Sequence, residues 1–226
     1  MSLVIDVLCR DGIIVGCDSK VTVSVSDNKF NGYTNKIYPK IYNGGYFLLA
    51  TVGNKKCYNK DNDEVYLYDI GEALKELNTD IRNLPYDFNE VLNSLCFNKK
   101  MVALYYYIDG RPIKYVFDSR ETTEICSYAK DFKEDFHSYG SLTKLSERLL
   151  DLIKRQKEYV SYSQVLLSDV IPIVKAVFDT TINIAELSAD RNVLGHPVLI
   201  YAIDNNGFVK EFYNDFYQYK EETVVN

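Results

Sequence analysis

Four short turn signals, each set between two apolar runs, constrain this chain more than any other feature. They are Arg10-Asp11-Gly12, Asn43-Gly44-Gly45, Asp109-Gly110-Arg111 and Asp204-Asn205-Asn206-Gly207. Asx-Gly and Gly-containing turns supply the backbone conformations that tight hairpins need. The flanking runs therefore read as paired antiparallel strands: 3–9 with 12–18, 35–42 with 46–52, 101–108 with 112–118, and 197–203 with 207–213. A further strand is expected over 21–26, where apolar and polar residues alternate, and another at 124–129. Residues 27–32 read as a turn cluster and 55–65 as a polar loop or frayed helix start.

Between the hairpins the apolar period changes to that of a helix. Ile70, Ala73, Leu74, Leu77 and Ile81 predict a helix over 67–84 that Pro85 stops. Asp87 suits the cap of a short following helix that buries Val91, Leu92 and Leu95. Leu142 to Ile153 predicts a helix over about 142–156, and Val165 to Phe178 another over about 163–181, with Pro172 as a candidate kink. Strand blocks alternating with helix pairs predict an α+β fold, a four-layer αββα sandwich of two antiparallel sheets flanked by helices. With no repeat and no linker, one domain over 1–226 is expected, with a loose polar tail from about 215.

Composition narrows the function. A net charge of -6 and few runs of like charge argue against nucleic acid as partner. No apolar run is long enough to span a membrane, and the N-terminus lacks a secretory pattern, so a cytoplasmic protein is expected. Five cysteines without CxxC spacing and only two histidines indicate neither a disulfide framework nor a metal site. No cofactor is expected. Cys9 and Cys17 fall within apolar strands and read as small core residues.

The chemistry concentrates at the opening. Ser2 follows an initiator Met that is commonly trimmed before a small residue, and the first strand begins there. A free Ser2 holds a hydroxyl nucleophile and an amine base on one residue. The second strand closes on Asp18-Ser19-Lys20, and Lys36-Ile37 opens a later strand.

This order of blocks, with Ser2, Gly12, Asp18, Ser19, Lys20 and Lys36 in sequence, resembles the proteasome β-subunits and their bacterial two-ring relatives among the N-terminal nucleophile hydrolases. The resemblance spans Ser2 to about Phe212. It implies that Ser2 is the nucleophile, where the family's proteases use Thr, with Lys36 beside it and Asp18 holding Lys36. Leu48 to Asn54 resembles the family's oxyanion segment, with Ala50 where Gly is usual. Gly140-Ser141 resembles a Gly-Ser pair whose Ser lies near the nucleophile, although Ser141 equally suits a helix N-cap. Leu194-Gly195-His196-Pro197 resembles a Ser-Gly-Gly segment, and Asp190, one residue off register, is the nearest match to an upstream Asp.

The resemblance thus implies a peptidase acting on peptide or protein substrates in a homo-oligomeric ring, with an ATPase or α-type ring as a candidate partner. Two other classes fit the same residues: a non-catalytic ring or scaffold subunit, and a hydrolase of a small amide.

Overall fold

The computed structural model describes residues 2–25, 28–33, 36–42, 45–53, 56–58, 64–66, 80–93, 100–118, 126–127, 135–187 and 194–214. The chain divides into two compact units, Met1–Ile37 with Glu134–Ala202 and Lys210–Asn226, and Tyr38–Lys133 with Ile203–Val209.

The first unit is built on a five-stranded antiparallel sheet. β1 (Leu3–Cys9) and β2 (Gly12–Asp18) form the opening hairpin, joined through the Arg10-Asp11 turn. The strand order is β12-β1-β2-β13-β14, with β12 at Phe136–Gly140, β13 at Val198–Asp204 and β14 at Val209–Asn214. Two helices, α2 (Thr143–Gln156) and α3 (Leu167–Leu187), pack on it. Alternation decides which side chains meet them. Leu3, Ile5, Val7 and Cys9 of β1 join Ile14, Leu150, Val170, Val174, Val177, Phe178 and Ile200 in one apolar cluster. Val4, Ile13, Val15 and Cys17, on the other face, are also buried. Both faces of the sheet are thus covered, which explains why its strands read as continuous apolar runs.

β3 (Lys20–Val25) pairs with β4 (Asn28–Tyr33) in a separate two-stranded ribbon, Lys20 opposite Tyr33. A strand therefore occupies most of 27–32, where a turn cluster was expected. Its composition is poor in strand formers, and ladder pairing with β3 supplies what propensity does not.

The second unit holds the sheet β11-β10-β9-β6-β5, with β5 at Ile37–Tyr42, β6 at Gly45–Gly53, β9 at Lys100–Ile108, β10 at Arg111–Asp118 and β11 at Cys126–Ser127. The middle of β6 (Phe47 to Ala50) and of β9 (Met101 to Tyr106) is fully buried. Short strands β7 (Lys56–Tyr58) and β8 (Glu64–Tyr66) pair within the segment expected as a loop.

The helix expected over 67–84 lies mostly outside the described residues. At its end, Pro85 does not stop a helix. A 3-10 turn, Ile81–Asn83, leads into α1 (Leu84–Asn93), and Pro85 sits in its first turn. The missing N–H costs nothing there, because first-turn amides have no helical acceptor. Asp87 lies inside that first turn rather than before it. α3 continues through Pro172 to Leu187 and starts at Leu167, after a 3-10 turn at Tyr162–Gln164.

β12 was not expected. Its five residues are only partly buried and show no apolar alternation. Tertiary pairing with β1 (Leu3 opposite Gly140) and the bond from Ser138 Oγ to Glu147 Oε1 on α2 (2.9 Å) hold it. No helix among the described residues is long and apolar enough to cross a membrane. The α+β fold with two antiparallel sheets agrees with the sequence expectation.

Gly16 lets α3 approach β2. A Cβ at this position would lie 2.5 Å from Phe178 Cε2 and 3.4 Å from Val174 Cγ1. Gly16→Ala is expected to destabilise the fold by about 1–3 kcal/mol through overpacking. In urea denaturation, the double variant with Phe178→Leu should lose less than the sum of the two single losses; additive losses would rule out this contact as the cause.

Candidate functional site

Two ladders end at the same place. The β1–β2 register, Val4 opposite Cys17, brings Asp18 opposite Leu3. Asp18 Oδ1 accepts the Leu3 backbone N–H at 2.8 Å, so a carboxylate closes the last rung. On the other side, Ser141 N–H donates to Ser2 O at 2.8 Å and extends the β1–β12 ladder by one pair. Ser2 is held between them, only 3% exposed. Ser141 therefore does not cap α2. The cap position is Leu142, in a left-handed conformation (φ 58°) with no side-chain cap bond.

Lys36 arrives through the β3–β4 ribbon. That ribbon leaves at Lys20 and returns at Tyr33, so a residue 16 positions later comes back to the point of departure. Lys36 Nζ donates to Asp18 Oδ1 at 2.9 Å and to the Lys20 carbonyl at 2.9 Å. Lys36 is 3% exposed and Asp18 is fully buried. One oxygen thus accepts from both the ammonium and the Leu3 amide. The ammonium can lie no farther from the Leu3 nitrogen than those two bonds laid end to end, and that nitrogen is bonded to the Ser2 carbonyl carbon.

The neighbouring segment, Leu194 to Pro197, closes the site from behind. Ser19 Oγ donates to Pro197 O at 2.6 Å, and Ser19 N–H donates to the same oxygen at 3.1 Å. Gly195 lies against the stem of Lys20, where a Cβ would come within 2.6 Å of Lys20 Cδ. Each member of Asp18-Ser19-Lys20 thus holds a different part: Asp18 holds Leu3 and Lys36, Ser19 holds Pro197, and Lys20 holds Lys36 through its carbonyl.

Burial dominates the electrostatics and raises the Asp18 carboxyl above its ordinary 3.8. Lys36, the Leu3 N–H and the Gly195 N–H oppose that rise. Oδ2 has no partner of ordinary hydrogen-bond geometry, and the Gly195 amide acts on the carboxylate as a nearby dipole. Burial also pushes the Cys17 thiol far up, against the opposing charge of Lys36, and does the same to Cys9. Both are core thiols and poor nucleophiles, as expected from their strands.

Of the residues singled out in the sequence, Ser2, Asp18, Lys36 and Ser141 come together in the first unit. Ala50 belongs to the second, fully buried on β6 opposite Ala103. Asp190 lies outside the described residues. Sequence reasoning assigned no part to the Lys20 carbonyl or the Ser19 hydroxyl. A backbone carbonyl leaves no trace in residue identity, and the Ser19 partner is 178 residues away. Among the described residues, no group of three or more His, Cys, Asp or Glu could hold a metal ion.

No family model matches the chain, and no curated protein does. Solved structures do. An Anbu (Gly-1) mutant from Hyphomicrobium sp. strain MC1 superposes with a TM-score of 0.66 at 14% identity, over 98% of this chain and 92% of that one. Anbu from the same strain gives 0.63 at 14%, over 99% and 98%. Anbu (ancestral beta-subunit) from Yersinia bercovieri gives 0.63 at 13%, over 98% and 90%.

The fold is proteasome-related, an α+β sandwich of the Anbu kind. This corrects the family expected from sequence. The solved structures that the chain resembles are Anbu proteins, a family distinct from the proteasome β-subunits and their two-ring relatives. A few residue types in order, read without their surroundings, do not separate families built on one fold. At this identity the likeness establishes fold and not activity.

Two stability outcomes follow from the buried pair. Asp18→Ala leaves the Lys36 ammonium buried without a counter-charge and is expected to cost about 3–5 kcal/mol, with Asp18→Ala/Lys36→Met recovering much of it. Because burial raises the folded-state carboxyl, the folded chain holds this proton more tightly than the unfolded one. The Asp18 contribution is then fully present below 3.8 and is lost as pH rises through the raised value. Urea titrations should show the wild type losing stability relative to Asp18→Asn as pH rises through that window; the opposite slope would mean that the ion pair outweighs burial.

Proposed function

We infer that this chain is an amide hydrolase, a peptidase that cleaves peptide bonds through Ser2 once Met1 is removed. The observation that carries the reading is the single Asp18 oxygen shared by the Leu3 amide and Lys36 Nζ. It fixes a buried positive charge beside the residue that bears both hydroxyl and amine. A surface lysine has no need of such an arrangement, and burying an ion pair costs several kcal/mol per ion before compensation.

In this reading the Ser2 Oγ attacks the carbonyl carbon of the scissile amide, and its proton passes to the free Ser2 amine. A C–O bond forms, and the carbonyl π electrons move to oxygen. The C–N bond then breaks as the leaving nitrogen takes up the proton. Water attacks the resulting ester of Ser2, releasing the acid and restoring the hydroxyl. The Lys36 charge favours the neutral amine over the ammonium and lowers the energy of developing negative charge on oxygen. Asp18 keeps Lys36 in place, as a third group orients a catalytic pair. Ser141, through its amide on Ser2 O, fixes the backbone from which the hydroxyl projects.

The test starts with intact mass. Material lacking Met1 should hydrolyse a fluorogenic peptide. Ser2→Ala should reduce turnover to background, and Lys36→Ala should lower kcat by about a hundred- to a thousandfold. Equal turnover in all three proteins, or activity in material that retains Met1, would sink the reading.

We also infer that the chain works as a homo-oligomer. The likeness to a protein described as an ancestral beta-subunit supports this. Light scattering should give a mass several times that of the 26.1 kDa chain; a strict monomer at working concentration would overturn it.

A further inference from the structure

We propose that Ser19 is a positioning residue for the Lys36–Asp18 pair, acting through the Leu194–Pro197 segment. The proposal rests on the reading of Ser2, Asp18 and Lys36 given above.

Ser19 is fully buried and commits both its hydroxyl and its amide to one acceptor, the Pro197 carbonyl, at 2.6 and 3.1 Å. Two donors on one oxygen fix both the distance and the direction of that carbonyl. Two residues earlier, Gly195 presses on the Lys20 stem so closely that no side chain fits between them. Its N–H also favours the charged form of Asp18 against the opposing effect of burial. The segment clamped by Ser19 therefore bears on both residues that anchor Lys36, on the Asp18 carboxylate and on the stem of Lys20.

Nothing else described in the segment does this work. His196 faces away toward α3, with Nε2 3.9 Å from Asp179, itself bonded to Lys175. If the Ser19 hydroxyl is lost, the Pro197 carbonyl keeps the longer amide bond from Ser19 but loses the shorter one. Gly195 is then free to withdraw, Asp18 loses a dipole that favours its charge, and the stem of Lys20 loses a packing partner beside the carbonyl that anchors Lys36. The predicted result is a displaced ammonium and a carboxyl that holds its proton to higher pH.

This differs from a purely structural role, which would lower stability and leave the titration of Asp18 alone. It also explains why the position after Asp18 carries a small hydroxyl residue rather than another apolar one, although its surroundings are fully buried.

The test combines a titration with kinetics. Carbon-13 NMR of protein labelled at Asp carboxyl carbons gives the Asp18 midpoint, assigned by its absence in Asp18→Asn. In Ser19→Ala that midpoint should move to higher pH. Ser19→Cys, near the size of Ser but a weak donor, should move it the same way, and Ser19→Thr, which keeps the hydroxyl, should restore it. Peptide turnover should fall by about tenfold to a hundredfold in kcat with KM little changed, as expected of a misplaced catalytic group. The acid limb of the pH profile should follow the Asp18 midpoint upward.

An unchanged Asp18 midpoint in whichever of Ser19→Ala and Ser19→Cys folds would overturn the proposal, whatever the turnover. If that midpoint moves but Ser2→Ala and Lys36→Ala remain fully active, the positioning stands and the hydrolase reading falls. If Lys36→Ala is inactive while Ser19→Ala matches wild type in both measurements, only the role of Ser19 falls.

Discussion

The buried Lys36–Asp18 pair is the interaction on which the arrangement of the first unit's opening corner depends. Two charges this deeply buried are tolerated only when their remaining valences are met. Here the Leu3 N–H and the Lys20 carbonyl meet some of them, and Asp18 Oδ2 is left without a hydrogen-bond partner. The consequence is geometric as well as energetic. The pair can exist only if β1 ends its ladder opposite Asp18 and the β3–β4 ribbon returns to its starting point. A charge pair 18 residues apart in sequence thereby fixes three segments at once.

The site sits at the ends of strands rather than in loops, and this suits its chemistry. Groups that must stay within a fraction of an ångström of a working position are best carried on elements that are themselves packed. Ser2 is tied by its carbonyl to the Ser141 amide and by the next residue, Leu3, to the Asp18 carboxylate, Asp18 through a fully buried strand, and Lys36 through two short bonds. Cys17, one residue from Asp18, has the element for nucleophilic chemistry but not the environment, since burial holds its thiol protonated. Environment rather than residue type separates the inert group from the candidate one.

Much of the fold was legible in the chain because hairpins advertise themselves twice, through turn residues and through the runs that flank them. All four expected hairpins are present. The misses have physical causes. β4 and β12 lack apolar alternation and exist by pairing with β3 and β1. Pro85 reads as a helix stop because a proline inside a helix breaks it, whereas in a first turn it breaks nothing.

In the candidate site, the side-chain chemistry of Ser2, Asp18 and Lys36 could be read from residue type and order. Their family could not, because a few residue types in order do not separate families built on one fold. The sequence by itself determined the four hairpins and which ionisable residues lie at the ends of their strands, since these depend on local pattern. Only the tertiary structure decided that one Asp18 oxygen serves both Leu3 and Lys36, that the Lys20 carbonyl is the second anchor, and that Ser19 reaches Pro197. Those choices depend on backbone groups and on partners far apart in sequence, and no local pattern records either.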